Sequence, residues 1–90
     1  MKIIKRSGME DTFDIKKIES AICRANNSVI DYEKLTDKQI EEISKNVEVA
    51  CENMKRSPSV EEIQDMVENQ IMNQRAFNVA RNYITYRYKQ

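Results

Sequence analysis

The sequence predicts an α+β domain, mainly α: a four-helix bundle capped by a small β-hairpin. Three observations carry this. Two short apolar stretches flank Ser7-Gly8, which holds the single glycine of 90 residues. Beyond them, apolar residues recur at helical spacing in four successive stretches. Two of those stretches open on capping boxes, Thr36-Asp37-Lys38-Gln39 and Ser59-Val60-Glu61-Glu62.

Residues 2–6 and about 9–13 read as the two strands. Asp14 then caps a helix in which Ile15, Ile18, Ile22 and Ala25 share a face. Asn26-Asn27-Ser28 ends it, and Tyr32 and Leu35 are candidate anchors for the connection that follows. The second helix places Ile40, Ile43, Val47, Ala50 and Met54 on one face, and Ser57-Pro58 breaks the chain. The third turns Ile63, Met66, Val67 and Ile71 inward. A tight turn near Asn73-Gln74 leads to a last helix bearing Phe77, Ala80, Tyr83, Ile84 and Arg87. No repeat or linker divides the chain, so residues 1–90 are expected to form one domain. The sheet is too small to stand alone and must lie across the bundle as a lid.

Composition narrows the function. Hydrophobic residues make up 40% and charged residues 33%, a balance for a globular chain rather than a disordered one. Fifteen basic and fifteen acidic side chains cancel, which argues against general nucleic-acid binding. No apolar run is long enough to span a bilayer, and Met1-Lys2-Ile3-Ile4-Lys5 turns charged too soon for a signal peptide. A cytoplasmic location is expected. Histidine is absent, and Cys23 and Cys51 cannot complete a zinc site. Both thiols fall in helical patterns and are expected reduced, at or near the core. No nucleophile elbow or metal cluster is visible, so this chain is not expected to catalyse a reaction alone.

Against that neutral background, cations gather at one place. Lys5 and Arg6 reach the hairpin turn, and Lys16 and Lys17 lie in the first turn of the helix after Asp14. Such clustering points to a small anionic ligand, phosphate first. A helix amino terminus beside Lys17 favours the same ligand. The plainer reading is a solvated strand end and a solvated lysine. Adjacent strand residues face opposite sides, so only one of Lys5 and Arg6 meets such a ligand unless the turn bends the other round. Asp11 and Asp14 are acceptors beside these cations. Asp14 is read either as a helix cap or as a partner for a sugar hydroxyl or base amine. Arg87-Tyr88-Lys89 adds a basic, aromatic edge. Tyr83, Tyr86 and Tyr88 cannot all face inward, and an exposed tyrosine suggests a neighbouring surface.

Four pieces, in order, resemble a known family: Ile4-Lys5-Arg6-Ser7-Gly8, Phe13-Asp14-Ile15-Lys16-Lys17-Ile18, the run from Ser59 to Val67, and the run from Val79 to Arg87. Together they resemble the ATP-cone, the regulatory nucleotide-binding module at the amino end of many ribonucleotide reductases. The resemblance covers residues 2–89. The closing Ala-Arg-x-Tyr-Ile-Thr-Tyr-Arg-Tyr-Lys is most similar to the anaerobic, glycyl-radical ribonucleoside-triphosphate reductases.

The resemblance implies a four-helix bundle under a three-stranded sheet, with ATP or dATP between sheet and helix ends; Mg2+ is expected with it because triphosphates usually carry that ion. It also implies a switch of overall activity, on with ATP and off with dATP, acting through subunit assembly. The partners it implies are the catalytic domain of a reductase, in cis if the chain is a fragment, and further copies of the same chain. Carried over by position, Lys5, Arg6, Lys17 and Lys89 match phosphate-binding cations. Asp11 and Asp14 match positions at the base, Ile3, Ile18, Val60 and Ile63 its apolar surroundings, and Gln64 the polar position beside them. Ser7 departs from an aspartate common in the turn, Asp11 is shorter than the glutamate that can stand there, and Gln64 replaces a histidine of some members.

Two other functions compete. A small helical protein-interaction domain explains the bundle and the tyrosines but not the cluster of Lys5, Arg6 and Lys17. A transcriptional repressor of reductase genes carries the same module behind a zinc ribbon, which this sequence lacks. The chain stops at Tyr88-Lys89-Gln90 without a helix stop signal, so an excised amino-terminal domain is expected.

Overall fold

The computed structural model describes residues 1–89, the Lys89 side chain excepted. Its elements run β1 (Lys2–Ile4), β2 (Glu10–Thr12), α1 (Ile15–Asn27), a 3-10 turn (Asp31–Glu33), α2 (Asp37–Glu52), α3 (Val60–Asn73) and α4 (Phe77–Lys89). Each helix packs on two others, α1 and α3 both lying between α2 and α4, so the four enclose one core. Ile22, Ile43, Val47, Val67, Ile71 and Val79 are its deepest side chains. No helix is long and apolar enough to cross a membrane.

Both strands are shorter than the sequence suggests. β1 and β2 pair antiparallel, with Ile3 opposite Asp11 and Ile4 opposite Glu10. Beyond Ile4 the backbone closes a turn: Lys5 N donates to Met9 O at 2.8 Å, and Gly8 N donates to Lys5 O at 2.8 Å. Gly8 sits at φ +87°, a conformation that favours glycine. Lys5 and Arg6 therefore belong to the turn rather than to the strand. In place of a third strand there is a single parallel bridge, Ile4 to Ser59, with Ile4 N donating to Pro58 O at 2.9 Å. This bridge pins the hairpin to the residue that caps α3.

The caps form as expected. Asp14 Oδ1 accepts from Lys16 N at 3.0 Å, and both capping boxes close in both directions. Asn26 does more than end α1. It is buried, its Nδ2 donates to Leu35 O at 2.9 Å, and its Oδ1 accepts from Leu35 N at 2.8 Å.

Five expectations need correction. Of the two candidate anchors for the connection, Tyr32 is 84% exposed on the 3-10 turn, and Leu35 alone, buried and held by Asn26, serves as one. Ala50 is exposed, because the buried face of α2 steps Ile40, Ile43, Val47, Cys51 and leaves Ala50 to one side. Cys23 is exposed, turned away from the core by its place next to Ile22; Cys51 is buried. Phe77, at the first position of α4, is exposed as well. Arg87 is no surface edge: its side chain is 5% exposed and its Nη1 donates to Asp65 at 2.9 Å and Glu68 at 3.0 Å, locking α4 to α3. Tyr83 is buried and Tyr88 exposed.

Candidate functional site

A cavity of about 480 Å³ opens between the hairpin, α1 and the start of α3, with Tyr83 of α4 among its lining residues. Local sequence explains each wall. Strand alternation turns Ile3 inward, and the register sets Asp11 across from it on the same face. On α1, Lys17, Ala21 and Arg24 follow at helical intervals along the cavity. Val60, Ile63 and Gln64 do the same on α3. Ile18 and Ile63 are nearly buried, so the walls are apolar where they are deepest.

Of the residues singled out from sequence, Ile3, Asp14, Lys16, Lys17, Ile18, Val60, Ile63 and Gln64 line this cavity. Lys5 and Asp11 stand outside the lining but are joined to it. Lys5 Nζ lies 3.7 Å and Lys17 Nζ 4.0 Å from Asp11 Oδ2. Thr12 N donates to Asp11 Oδ1 at 2.8 Å, and this bond foremost, with the two lysines beside it, holds the Asp11 carboxyl below its usual range against the opposing effect of burial. Arg6 is placed elsewhere: its Nε donates to Glu61 Oε1 at 2.8 Å, tying the hairpin tip to the first turn of α3. The Lys89 side chain lies outside the described residues.

Sequence reasoning did not select Thr12, Phe13, Ser20, Ala21, Arg24 or Tyr83, which also line the cavity. For Ser20, Ala21 and Arg24 a signal exists, because they lie at helical intervals from Lys17. Arg24 sits roughly 10 Å along the helix from Lys17, so the cavity carries a cation towards each end. Nothing local marks Tyr83. Its burial pushes the phenol pKa up to about 12, so it stays neutral at the cavity wall.

Chemically, the lining combines apolar faces with ammonium and guanidinium groups around a cavity of small-molecule size. That arrangement suits a ligand with a flat apolar part and an anionic tail. Gln64 Oε1 is buried without a hydrogen-bond partner among the described residues. Among these residues, no group of three or more His, Cys, Asp or Glu side chains is placed to hold a metal ion.

Comparison with known proteins gives three findings. Residues 1–90 match the family model of the ATP cone domain. The vitamin B12-dependent ribonucleoside-diphosphate reductase of Thermoplasma acidophilum is 35% identical over 98 aligned positions, which cover 98% of this chain and 12% of that protein. The ribonucleoside-diphosphate reductase subunit alpha of Chlamydia trachomatis serovar D is 30% identical over 95 positions, covering 97% of this chain and 9% of that protein. The chain thus spans about a tenth of the length of these relatives.

Proposed function

This chain belongs to the ATP-cone family, and from that premise we propose that residues 1–90 form a regulatory domain that binds ATP or dATP and sets the overall activity of a ribonucleotide reductase. The observation that carries the reading is the meeting of Lys5 and Lys17 on Asp11 at the mouth of an apolar-walled cavity. In this reading the adenine ring lies between Ile3 and Ile18 on one side and Val60 and Ile63 on the other. The phosphates take the place of the Asp11 carboxylate between the two lysines. The amino end of α1 adds its partial positive charge there. Mg2+ arrives with the triphosphate.

Regulation requires that the site distinguish its ligands through a change of shape. ATP and dATP differ by one hydroxyl, and a pocket that merely accommodates a hydroxyl separates such ligands weakly. The switch therefore rests on coupling between the bound sugar and the bundle surface, typically about 1–3 kcal/mol. Arg6, bonded to Glu61, and Arg87, bonded to Asp65 and Glu68 and with Nη2 3.4 Å from the Glu61 carbonyl, link the hairpin to the α3–α4 surface. We place the assembling surface there. The catalytic domain of a reductase is the partner, and the cytoplasm the setting.

The finer assignment, to an anaerobic ribonucleoside-triphosphate reductase, is supported by the run from Ala80 to Lys89. The relatives described above carry the names of diphosphate reductases.

Calorimetric titration with ATP, dATP and GTP in the presence of Mg2+ tests the reading. Saturable binding of the adenine nucleotides, weakened at least about tenfold by Lys5→Ala or Lys17→Ala, is expected. Absence of binding by the folded domain overturns it and returns the protein-interaction reading.

A further inference from the structure

A second cavity, of about 230 Å³, opens between the start of β1 and the end of α2, and it shares no lining residue with the proposed nucleotide site. Met1, Cys51 and Met54 are among its walls. A fourth sulfur stands behind them: Met66 Sδ, on α3, lies 3.9 Å from Cys51 Sγ. Of the five methionines and two cysteines in the chain, three and one gather at this point.

The backbone brings them together. Cys51 occupies the last turn of α2, and Met54 N donates to Cys51 O at 3.1 Å. Such a closure over three residues sets the two side chains one above the other. Helix α3 packs on α2 and carries Met66 to the buried Cys51. Phe13 N donates to Met1 O at 2.8 Å and holds Met1 beside the hairpin. Sulfur packing accounts for the contact of Cys51 with Met66. It does not account for two further thioethers lining the cavity that Cys51 also lines.

Thiolate and thioether sulfurs are soft ligands and together select Cu(I) over harder ions. Sulfurs bonded to one metal ion at about 2.3 Å stand about 4 Å apart. Cys51 and Met66 already hold that separation. Zinc is not served, because it takes thiolate, imidazole or carboxylate ligands and the cluster offers one thiol among thioethers. Lys2 and Lys55 outweigh Glu52 on the cavity walls, and Arg56 there is taken up by Glu62 at 2.8 and 2.6 Å. A cationic rim repels a divalent ion, whereas Cu(I) on a thiolate is a neutral pair suited to a buried place.

We infer that Cys51, Met54 and Met66, with Met1 beside them, form a binding site for a soft monovalent metal ion, Cu(I). Binding forms a Cu–S bond at Cys51 Sγ and releases the thiol proton to solvent. The methionine sulfurs donate lone pairs, and no electron is transferred. A bound ion joins α2 to α3 and to the residue ahead of β1, bracing the hairpin on the bundle. The site stands apart from the nucleotide reading and does not depend on it.

The test is anaerobic competition for Cu(I), kept reduced by ascorbate, against the coloured chelate it forms with bicinchoninate. It uses the full chain carrying Cys23→Ala, so that the exposed thiol does not compete. This chain is expected to take one Cu(I) from the chelator. Adding Met66→Leu or Met54→Leu, which conserve volume, should weaken binding at least about tenfold, since losing a ligand costs no less than losing a ligand's supporting partner. Cys51→Ala should abolish binding, and the leucine variants decide the matter if it fails to fold by circular dichroism. Ag(I), a closed-shell soft ion of the same charge, is expected to shift the methyl resonances of Met54 and Met66 and leave those of exposed Met9 and Met72 in place. Failure to withdraw Cu(I), undiminished affinity in both leucine variants, or Zn2+ bound as tightly as Cu(I) overturns the inference.

Discussion

Lys5 Nζ lies 3.7 Å from Asp11 Oδ2, beside the mouth of the cavity. Lys17 approaches the same oxygen from α1 at 4.0 Å, so one carboxylate gathers cations from two elements. Both lysines are more than half exposed, and pairs of this kind add little to stability. Their consequence is electrostatic: Asp11 holds two cations together where the proposed phosphates bind.

Asp11→Asn removes the charge that competes with phosphate and keeps an oxygen for Thr12 N. It is expected to tighten ATP binding about two- to fivefold at low ionic strength, with the gain largely gone at about 0.5 M salt. Calorimetry at two salt concentrations checks this. Weaker binding by the variant would mean that Asp11 contacts the ligand itself.

Two turns differ in how well residue and backbone agree. Gly8 has φ +87° and open space where a Cβ would stand, so Gly8→Ala acts through conformation alone and should cost about 1 kcal/mol. Arg75, between α3 and α4, adopts φ +64° without being glycine. Arg75→Gly is expected to stabilise the domain by about 0.5 kcal/mol, the relief of left-handed strain outweighing the added freedom of the unfolded chain. Urea denaturation of both variants measures the two effects, which should have opposite signs.

Asn26→Ala leaves the buried backbone N–H and C=O of Leu35 without partners. A loss of about 2–4 kcal/mol is expected, with the connection between α1 and α2 loosened first. Hydrogen exchange at Leu35 reports the local effect and chemical denaturation the global one.

The helices were legible because their signals are local. Capping boxes at Thr36 and Ser59 and the isoleucine spacing of α1 and α2 act within a few residues of themselves. The hairpin was legible from Gly8, but not its length, since the turn hydrogen bonds of Lys5 and Met9 compete with the ladder. At the site, the family resemblance marked Ile3 as an apolar position, while the alternation expected to separate Lys5 from Arg6 does not apply, because both lie in the turn. That Arg6 would meet Glu61, 55 residues on, depends on the bridge from Ile4 to Ser59, which no local pattern announces. Arg87 misled for the same reason: its partners Asp65 and Glu68 lie one turn apart on another helix. Arg24 was readable from Lys17 by helical spacing. The unpaired oxygen of Gln64 becomes apparent only once its surroundings are packed.

Acid should reveal the lock at the start of α3. Arg56 donates to both oxygens of Glu62, at 2.8 and 2.6 Å, and Ser59 N donates to Glu62 Oε1 at 3.0 Å. Arg56 foremost, with Ser59, lowers the Glu62 pKa from 4.5 to about 2. The folded state thus holds this carboxylate ionised more strongly than the unfolded chain does. Its contribution is complete above about pH 4.5 and is lost as pH falls towards 2. Glu62 is about one-third exposed, so solvent screening keeps the effect modest. Melting temperatures should fall over that interval in wild type and fall less in Glu62→Gln; equal slopes would show that the pair does not couple to folding.

The most direct test is a heteronuclear NMR titration of the chain with ATP and Mg2+, read residue by residue. The largest amide shifts are expected at Ile3, from Thr12 to Ile18, and from Val60 to Gln64, with little change on the exposed face of α2. Shifts centred instead on Tyr32 and Phe77, or none at saturating nucleotide, would contradict a nucleotide site between the hairpin, α1 and α3.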